Sequence, residues 1–283
     1  MKKAFWGKKP AVSSVIFKII TIILAMIIVF PFLWLISTSL LTREEFYSAG
    51  QPFFSASPQW KRYVTVLIEK KFYRSIFNSV MLASVAVIQN IFVSSFVAYG
   101  LSRFRFKGRY AVFICMLSTM FLPAQVTSIP KFLFFKSLGW LYTYFPLIVP
   151  GFFGAATSVL FIMSFMRGVP KEMDEAAKLD GCNAFKIWAK ILLPQLVPVL
   201  CLVALNTFLG NWKTSYGPMV YLRDPEMFTV PLTLLKFQTN DSLSEVGRLQ
   251  LYSALVIAIV PIIILFTFLQ NTMNKYVVVA DLK

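Results

Sequence analysis

The sequence predicts an all-α polytopic membrane protein with six transmembrane helices and one cytoplasmic helix-turn-helix loop. Three observations carry that reading. First, 58% of the 283 residues are apolar and only 14% charged, with a mean hydropathy of +0.70, too little charge for a soluble domain of this length. Second, the apolar residues gather in six runs, each near the roughly 17 to 25 residues that a spanning helix needs. Third, the one long polar island, Pro170 to Pro194, reads as two short helices, each roughly 15 Å long at about 1.5 Å per residue, too short to cross a bilayer.

The first run, Val15 to Ile36, follows Lys2, Lys3, Lys8 and Lys9. A charged start before an apolar stretch suggests a signal peptide, but this run is too long and lacks a small-residue cleavage site. It therefore reads as an uncleaved span behind a cytoplasmic segment, residues 1–14, with residues 15–283 forming a single transmembrane domain. The other runs are Ser75 to Leu101, Tyr110 to Val126, Thr143 to Met166, Leu196 to Tyr221 and Leu251 to Phe268. Prolines at 31, 123, 146, 150, 198 and 261 lie in or beside them and are expected to kink helices or free carbonyls.

Orientation follows from the cations. With both termini, the Arg103 to Arg109 turn and the polar island inside, 15 of the 28 Lys and Arg are inside, 12 lie in outer loops, and Lys18 lies in the first span. The short turn decides it, because Arg103, Arg105, Lys107 and Arg109 occur there without an acid and short loops carry most of the topological signal. The outer side then receives loops at about residues 42–74 and 213–250, with a shorter connection around Pro130 to Tyr142.

In the polar island, Pro170 suits a first helical turn, and Glu172, Asp174 and Glu175 complement that helix's positive end. Gly181 breaks the helix after Asp180, and Asn183 can cap the next. The second helix is expected to put Phe185, Trp188 and Leu192 on one face and Lys186 and Lys190 on another. A short amphipathic pair of this kind lies along a membrane surface or docks into another protein.

Several classes are disfavoured. No basic run is interleaved with stacking aromatics outside the apolar segments, so the net charge of +16 belongs to membrane borders and not to nucleic acid. Cys115, Cys182 and Cys201 are far apart with no metal or disulfide spacing. With no histidine, histidine-based proton relays and the usual zinc motifs are excluded, and no arrangement of nucleophile and base suggests an enzyme. Apart from Lys18, and Lys213 where the fifth run overlaps the outer loop, no charged residue sits in the apolar runs, whereas ion-coupled carriers usually need one. A phosphate-binding loop is missing as well, so if ATP drives the process, another polypeptide hydrolyses it. Candidates for the solute path are Gln125, Asn206, Thr207, Asn211 and Trp212, whose amides, hydroxyl and ring suit a neutral polyhydroxylated solute. Gln89 and Asn90 serve that path or bond between helices.

At this point the residues match a known pattern. Glu175-Ala176-Ala177, then Asp180-Gly181, Phe185 and Leu193-Pro194 resemble the EAA motif of membrane subunits of bacterial ATP-binding-cassette importers. Phe30 to Ser39, Ala98 to Phe106 and Phe208 to Trp212 are similar to the smaller permease of carbohydrate importers of the maltose and glycerol 3-phosphate type, across essentially the whole chain. The resemblance implies a non-catalytic permease in a bacterial plasma membrane. It also implies a second homologous permease, two cytoplasmic ATPase subunits that bind ATP and magnesium, and an extracytoplasmic solute-binding protein. Glu175, Ala176, Ala177, Asp180, Gly181, Phe185, Trp188 and Pro194 would form the ATPase-coupling segment, within a loop of residues 168–194. No cofactor is expected on this chain. The cargo implied is a di- or oligosaccharide; a polyol, glycerol phosphate or acidic sugar is the alternative within the family, and a stand-alone ion-coupled transporter is the alternative outside it. Lys213 stands where many relatives carry an acidic or amide-bearing stretch.

Overall fold

The computed structural model describes residues 12–241 and 245–280. The four amino-terminal lysines, most of the expected 1–14 segment and the last three residues lie outside the described residues. Among the described residues the regular structure is helical, with no strand. The helices are α1 (Val12–Leu40), α2 (Arg43–Tyr47), α3 (Lys61–Val64), α4 (Phe72–Arg103), α5 (Arg109–Thr119), α6 (Ala124–Ser137), α7 (Phe145–Ile148) and α8 (Ala156–Arg167). They continue with α9 (Glu172–Leu179), α10 (Ala184–Lys186), α11 (Leu193–Gln195), α12 (Val197–Lys213), α13 (Tyr216–Tyr221), α14 (Val230–Lys236) and α15 (Glu245–Ala280).

Four of the six expected spans are present as segments long and apolar enough to cross a membrane: Ile16–Leu40, Phe72–Arg103, Phe145–Arg167 and Val246–Gln270. The other two differ from expectation. The third run is divided: α5 stops at Thr119 and α6 starts at Ala124, with Pro123 extended between them at φ −60°, ψ 134°. Proline has no N–H to continue the ladder, and α5 alone is about 16 Å long, half the hydrocarbon thickness. The fifth run begins at a bend of 82° between Ala184–Gln195 and Val197–Lys213. It ends at Lys213, where Thr214 turns extended, and Tyr216–Tyr221 is a separate helix. Prolines 31 and 261, by contrast, sit inside helices that continue past them.

The chain groups into two compact units. One comprises residues up to Lys70 with Phe237–Ile257. In it the Arg62 guanidinium donates to the carbonyls of Ser39 at 2.5 Å and Leu41 at 2.8 Å, supplying charge and donors to the carboxyl-terminal end of α1. Thr42 and Glu45 form a capping box at α2. Ser55 Oγ, the Thr42 and Ala56 amides and the Thr42 hydroxyl also serve the Glu45 carboxylate, and together they hold its pKa down at about 2.

The other unit comprises Lys71–Lys236 with the described residues from Ala258 onward. Its axis is α4, whose residues Ala98, Tyr99 and Leu101 share a core with Val159, Ile162, Met163 and Met166 of α8 and Val199 and Val203 of α12. Polar bonds set the rotation of these helices. Asn90 donates to Ser158 Oγ at 2.9 Å and to Thr207 Oγ1 at 2.7 Å, while its own oxygen accepts from Ser94 Oγ at 2.7 Å. Asn90→Leu keeps the branched shape and removes all three bonds; at about 0.6 kcal/mol for each of the two that run between helices, it is expected to lower unfolding free energy by about 1 kcal/mol. Steric-trapping measurements would show this loss, and Thr207→Val added to the Asn90→Leu variant would then cost less than Thr207→Val alone.

Candidate coupling surface and solute path

The polar island folds as two helices with a sharp turn, and local rules explain each step. Acidic Glu172, Asp174 and Glu175 occupy the first turn of α9, where the helix end is positive. Its other end closes in a Schellman pattern: the Cys182 amide bonds the Ala177 carbonyl at 2.9 Å and the Gly181 amide bonds that of Lys178 at 3.0 Å. Gly181 sits at φ +78°, a region that L side chains rarely enter. Asn183 then caps the next helix, its Oδ1 accepting the Lys186 amide at 2.8 Å.

Beyond α10 the chain winds as a π-helix from Ile187 to Leu192, and the wider turn changes which side chains share a face. Phe185, Trp188 and Leu192 were expected together. The rings of Phe185 and Trp188 do meet, at 5.2 Å, but Ile187, Trp188 and Leu192 are buried while Phe185 is 57% exposed. Trp188, 3% exposed, meets the rings of Phe92 and Phe96 of α4 edge-on at 5.4 and 5.5 Å. Ala177, Ile187, Trp188 and Leu192 belong to the same core as α4, α8 and α12. The outer surface displays Glu175, Ala176, Asp180, Gly181 and Pro194, with Phe185 and a residue the sequence reading did not single out, Leu179, at 91% exposure.

A buried charge pair ties this loop to the spans. Arg103 Nε, at the end of α4, lies 3.0 Å from Asp174 Oδ2, both side chains being more than nine-tenths buried. The approach is off the N–H axis, so it is a charge contact and not an aligned hydrogen bond. Arg103 also donates to the Val169 carbonyl at 2.8 Å. One guanidinium thus holds both α9 and the strap leading into it.

The solute-path candidates do not converge on one face. Asn206 is exposed, its amide donating to the Leu202 carbonyl at 3.0 Å, and Asn211 donates to the Thr207 carbonyl at 2.9 Å. Thr207 is held by Asn90, and Trp212 is buried and stacked on Phe208 at 5.5 Å. Gln125 is exposed in the first turn of α6, and Lys213 is exposed as the last residue of α12. Bonding between helices is therefore what the structure assigns to Asn90.

Gln89 differs. It is 6% exposed, and neither its amide nitrogen nor its oxygen has a hydrogen-bond partner among the described residues. It faces the break in the fourth span, where α7 gives way to a 3₁₀ turn, Val149–Phe153, ended by Gly154 at φ +71°. A Cβ placed on Gly151 would collide with Gln89 Oε1, so any larger residue there requires the end of the Gln89 side chain to move. The freed backbone is partly satisfied by Ser94 Oγ, which accepts the Ala155 amide at 3.3 Å.

Comparison with known proteins matches residues 90–278 to the family described as the binding-protein-dependent transport system inner membrane component. The chain belongs to this family. It is 32% identical over 255 residues to the arabinooligosaccharides transport system permease protein of Halalkalibacterium halodurans, covering 88% of each chain. It is 29% identical to the trehalose/maltose transport system permease protein of Thermococcus litoralis, covering 96% of each. Its fold matches a crystal structure of a bacterial ABC transporter involved in the import of the acidic polysaccharide alginate, with a TM-score of 0.80 over 95% of this chain and 99% of that one at 24% identity.

For a membrane component of this family, three features escaped the sequence reading: exposed Leu179, the Arg103–Asp174 pair and the Gln89–Gly151 contact. Leu179 has a visible signal, an apolar residue between Lys178 and Asp180, and Pro150-Gly151 inside an apolar run marks the break. Gly151→Ala should strain the fourth span by about 1 to 3 kcal/mol, the usual cost of overpacking, and Gln89→Ala in the same chain should relieve it. Thermal unfolding in detergent of the two single variants and the double variant checks this: additive losses would contradict a direct contact.

Proposed function

We propose that this chain is a transmembrane permease subunit of an ATP-driven, binding-protein-dependent importer that moves a carbohydrate of di- or oligosaccharide size into the cell. The observation that carries the proposal is the two-sided loop of residues 168–194. Its inner face is continuous with the core of three spans, and its outer face presents Leu179 and Phe185 beside Glu175, Ala176, Asp180 and Gly181. Apolar side chains left in water on a rigid loop are suited to burial in a partner. The partners proposed are two cytoplasmic ATPase subunits holding ATP and magnesium, a second homologous permease, and an extracytoplasmic solute-binding protein. The family description, which names binding-protein dependence, supports the last of these. The arabinooligosaccharide and trehalose/maltose relatives support the carbohydrate. The cation-rich Arg103 to Arg109 turn supports a cytoplasmic placement of the loop and of both termini.

In this reading, closure of the ATPases pushes on Leu179 and Phe185. Trp188 acts as an internal strut instead of a docking anchor. The push passes through the buried Arg103–Asp174 pair to the end of α4, and through the 82° bend to α12. Slippage at the pair would leave a buried charge uncompensated, at about 3 to 5 kcal/mol, so the loop and the span move as one piece. Asn206 and Asn211 would supply hydrogen bonds along the solute path.

Replacing Leu179 and Phe185 together by Asp removes the exposed apolar contact, at the cost of one ring contact between Phe185 and Trp188 at 5.2 Å. Uptake of labelled oligosaccharide should fall more than tenfold, as for loss of interface hot spots, with normal abundance in the membrane. Unchanged uptake at normal abundance would remove the coupling role, and uptake by the chain reconstituted alone under an ion gradient would refute the importer.

A further inference from the structure

We propose that the cavity where α4, α5 and α8 come together is a binding site for the headgroup of an anionic phospholipid. The cavity measures about 490 Å³ and lies against the charged ends of three apolar helices. Its floor is apolar and buried, formed by Leu101 and Met163, with Phe113 packed on the same core. Its rim holds two cations, the half-buried Arg109 and the exposed Arg167.

Neither arginine is paired with an acid among the described residues. The Arg167 guanidinium reaches only the Met163 sulfur, at 3.9 Å. The buried neighbouring carboxylate, Asp174, is taken by Arg103. Arg105 and Lys107 in the adjoining turn add positive charge with no acid between them. Two guanidinium groups over one concavity match a phosphodiester, since each can donate a planar fork to phosphate oxygens.

The apolar floor separates a lipid from a soluble anion, which has no use for it. The surface beyond the cavity points the same way. Tyr110 and Ile114, four positions apart on one face of α5, are exposed at 75% and 42%, an aromatic at the border followed by an aliphatic side chain toward the membrane interior. An acyl chain can follow that wall while its phosphate stays at the arginines. Basic pockets between spans at a membrane border take anionic headgroups by this logic.

The test uses the full chain in detergent, with phosphatidylglycerol or phosphatidylcholine added in mixed micelles and bound lipid counted by native mass spectrometry. Phosphatidylglycerol should be retained in preference to phosphatidylcholine. The Arg109→Gln, Arg167→Gln pair should weaken phosphatidylglycerol roughly thirtyfold, taking each charge near a membrane surface at its usual worth, and leave phosphatidylcholine unchanged. The Arg109→Lys, Arg167→Lys pair, which keeps both charges but loses the planar forks, should bind phosphatidylglycerol more tightly than the Gln pair and less tightly than the unaltered chain. Should the double Gln variant fail to fold, Arg167→Gln alone, at an exposed side chain, should weaken binding roughly fivefold. Equal retention of the two lipids by the unaltered chain, or unchanged phosphatidylglycerol binding in the folded Gln variants, overturns the proposal. Displacement by inorganic phosphate at equal concentration would assign the site to a soluble anion. A protein that co-purifies through these arginines in place of lipid would equally overturn it.

Discussion

In the unit built on α4, the constraint from which the rest follows is the Asn90 side chain. Apolar helices in lipid gain no hydrophobic drive toward one another, because acyl chains are as apolar as leucine. Close packing alone holds them without choosing their rotation. Asn90 uses both donors and its acceptor, reaching α8 through Ser158, α12 through Thr207 and its own helix through Ser94. A slip of one residue turns a helix by about 100° and strands all three groups in a medium that cannot solvate them. The core residues of α4, α8 and α12 meet as they do because that amide permits one rotation.

The polar loop inherits this rigidity. Ala177, Ile187, Trp188 and Leu192 complete a core whose other members are in the spans. The Arg103–Asp174 pair adds direction to what packing supplies as area. Its net worth for stability is modest, since desolvation offsets attraction, yet removing either partner leaves a buried charge alone. That asymmetry resists sliding more than it adds stability, which suits a part that transmits displacement.

Proline has two outcomes here, and neighbours separate them. Helices α1 and α15 carry Pro31 and Pro261 internally and continue. At Pro123 the chain stops being helical, and at Pro150 a 3₁₀ turn takes over beside Gly151 and Gly154. In the second case tertiary groups receive the released backbone, as Ser94 receives the Ala155 amide. A broken span is tolerated where protein, not lipid, meets the exposed peptide groups.

Helical class, the position of most apolar runs, the Gly181 turn and the Asn183 cap were legible in the residues alone, because φ preference, capping and hydropathy act over a few positions. The EAA spacing likewise identified the family from a single segment. Other features were decided by contacts remote in sequence. Whether Phe185 or Trp188 turns inward depends on the π-helical winding and on the rings of Phe92 and Phe96. Arg103 read as a topological charge and Asp174 as a helix-end acid until folding brought them to 3.0 Å. Gln89 became an unpaired amide only once Gly151 lay against it. Local chemistry chose the elements, and tertiary packing chose which of their side chains remain free to act.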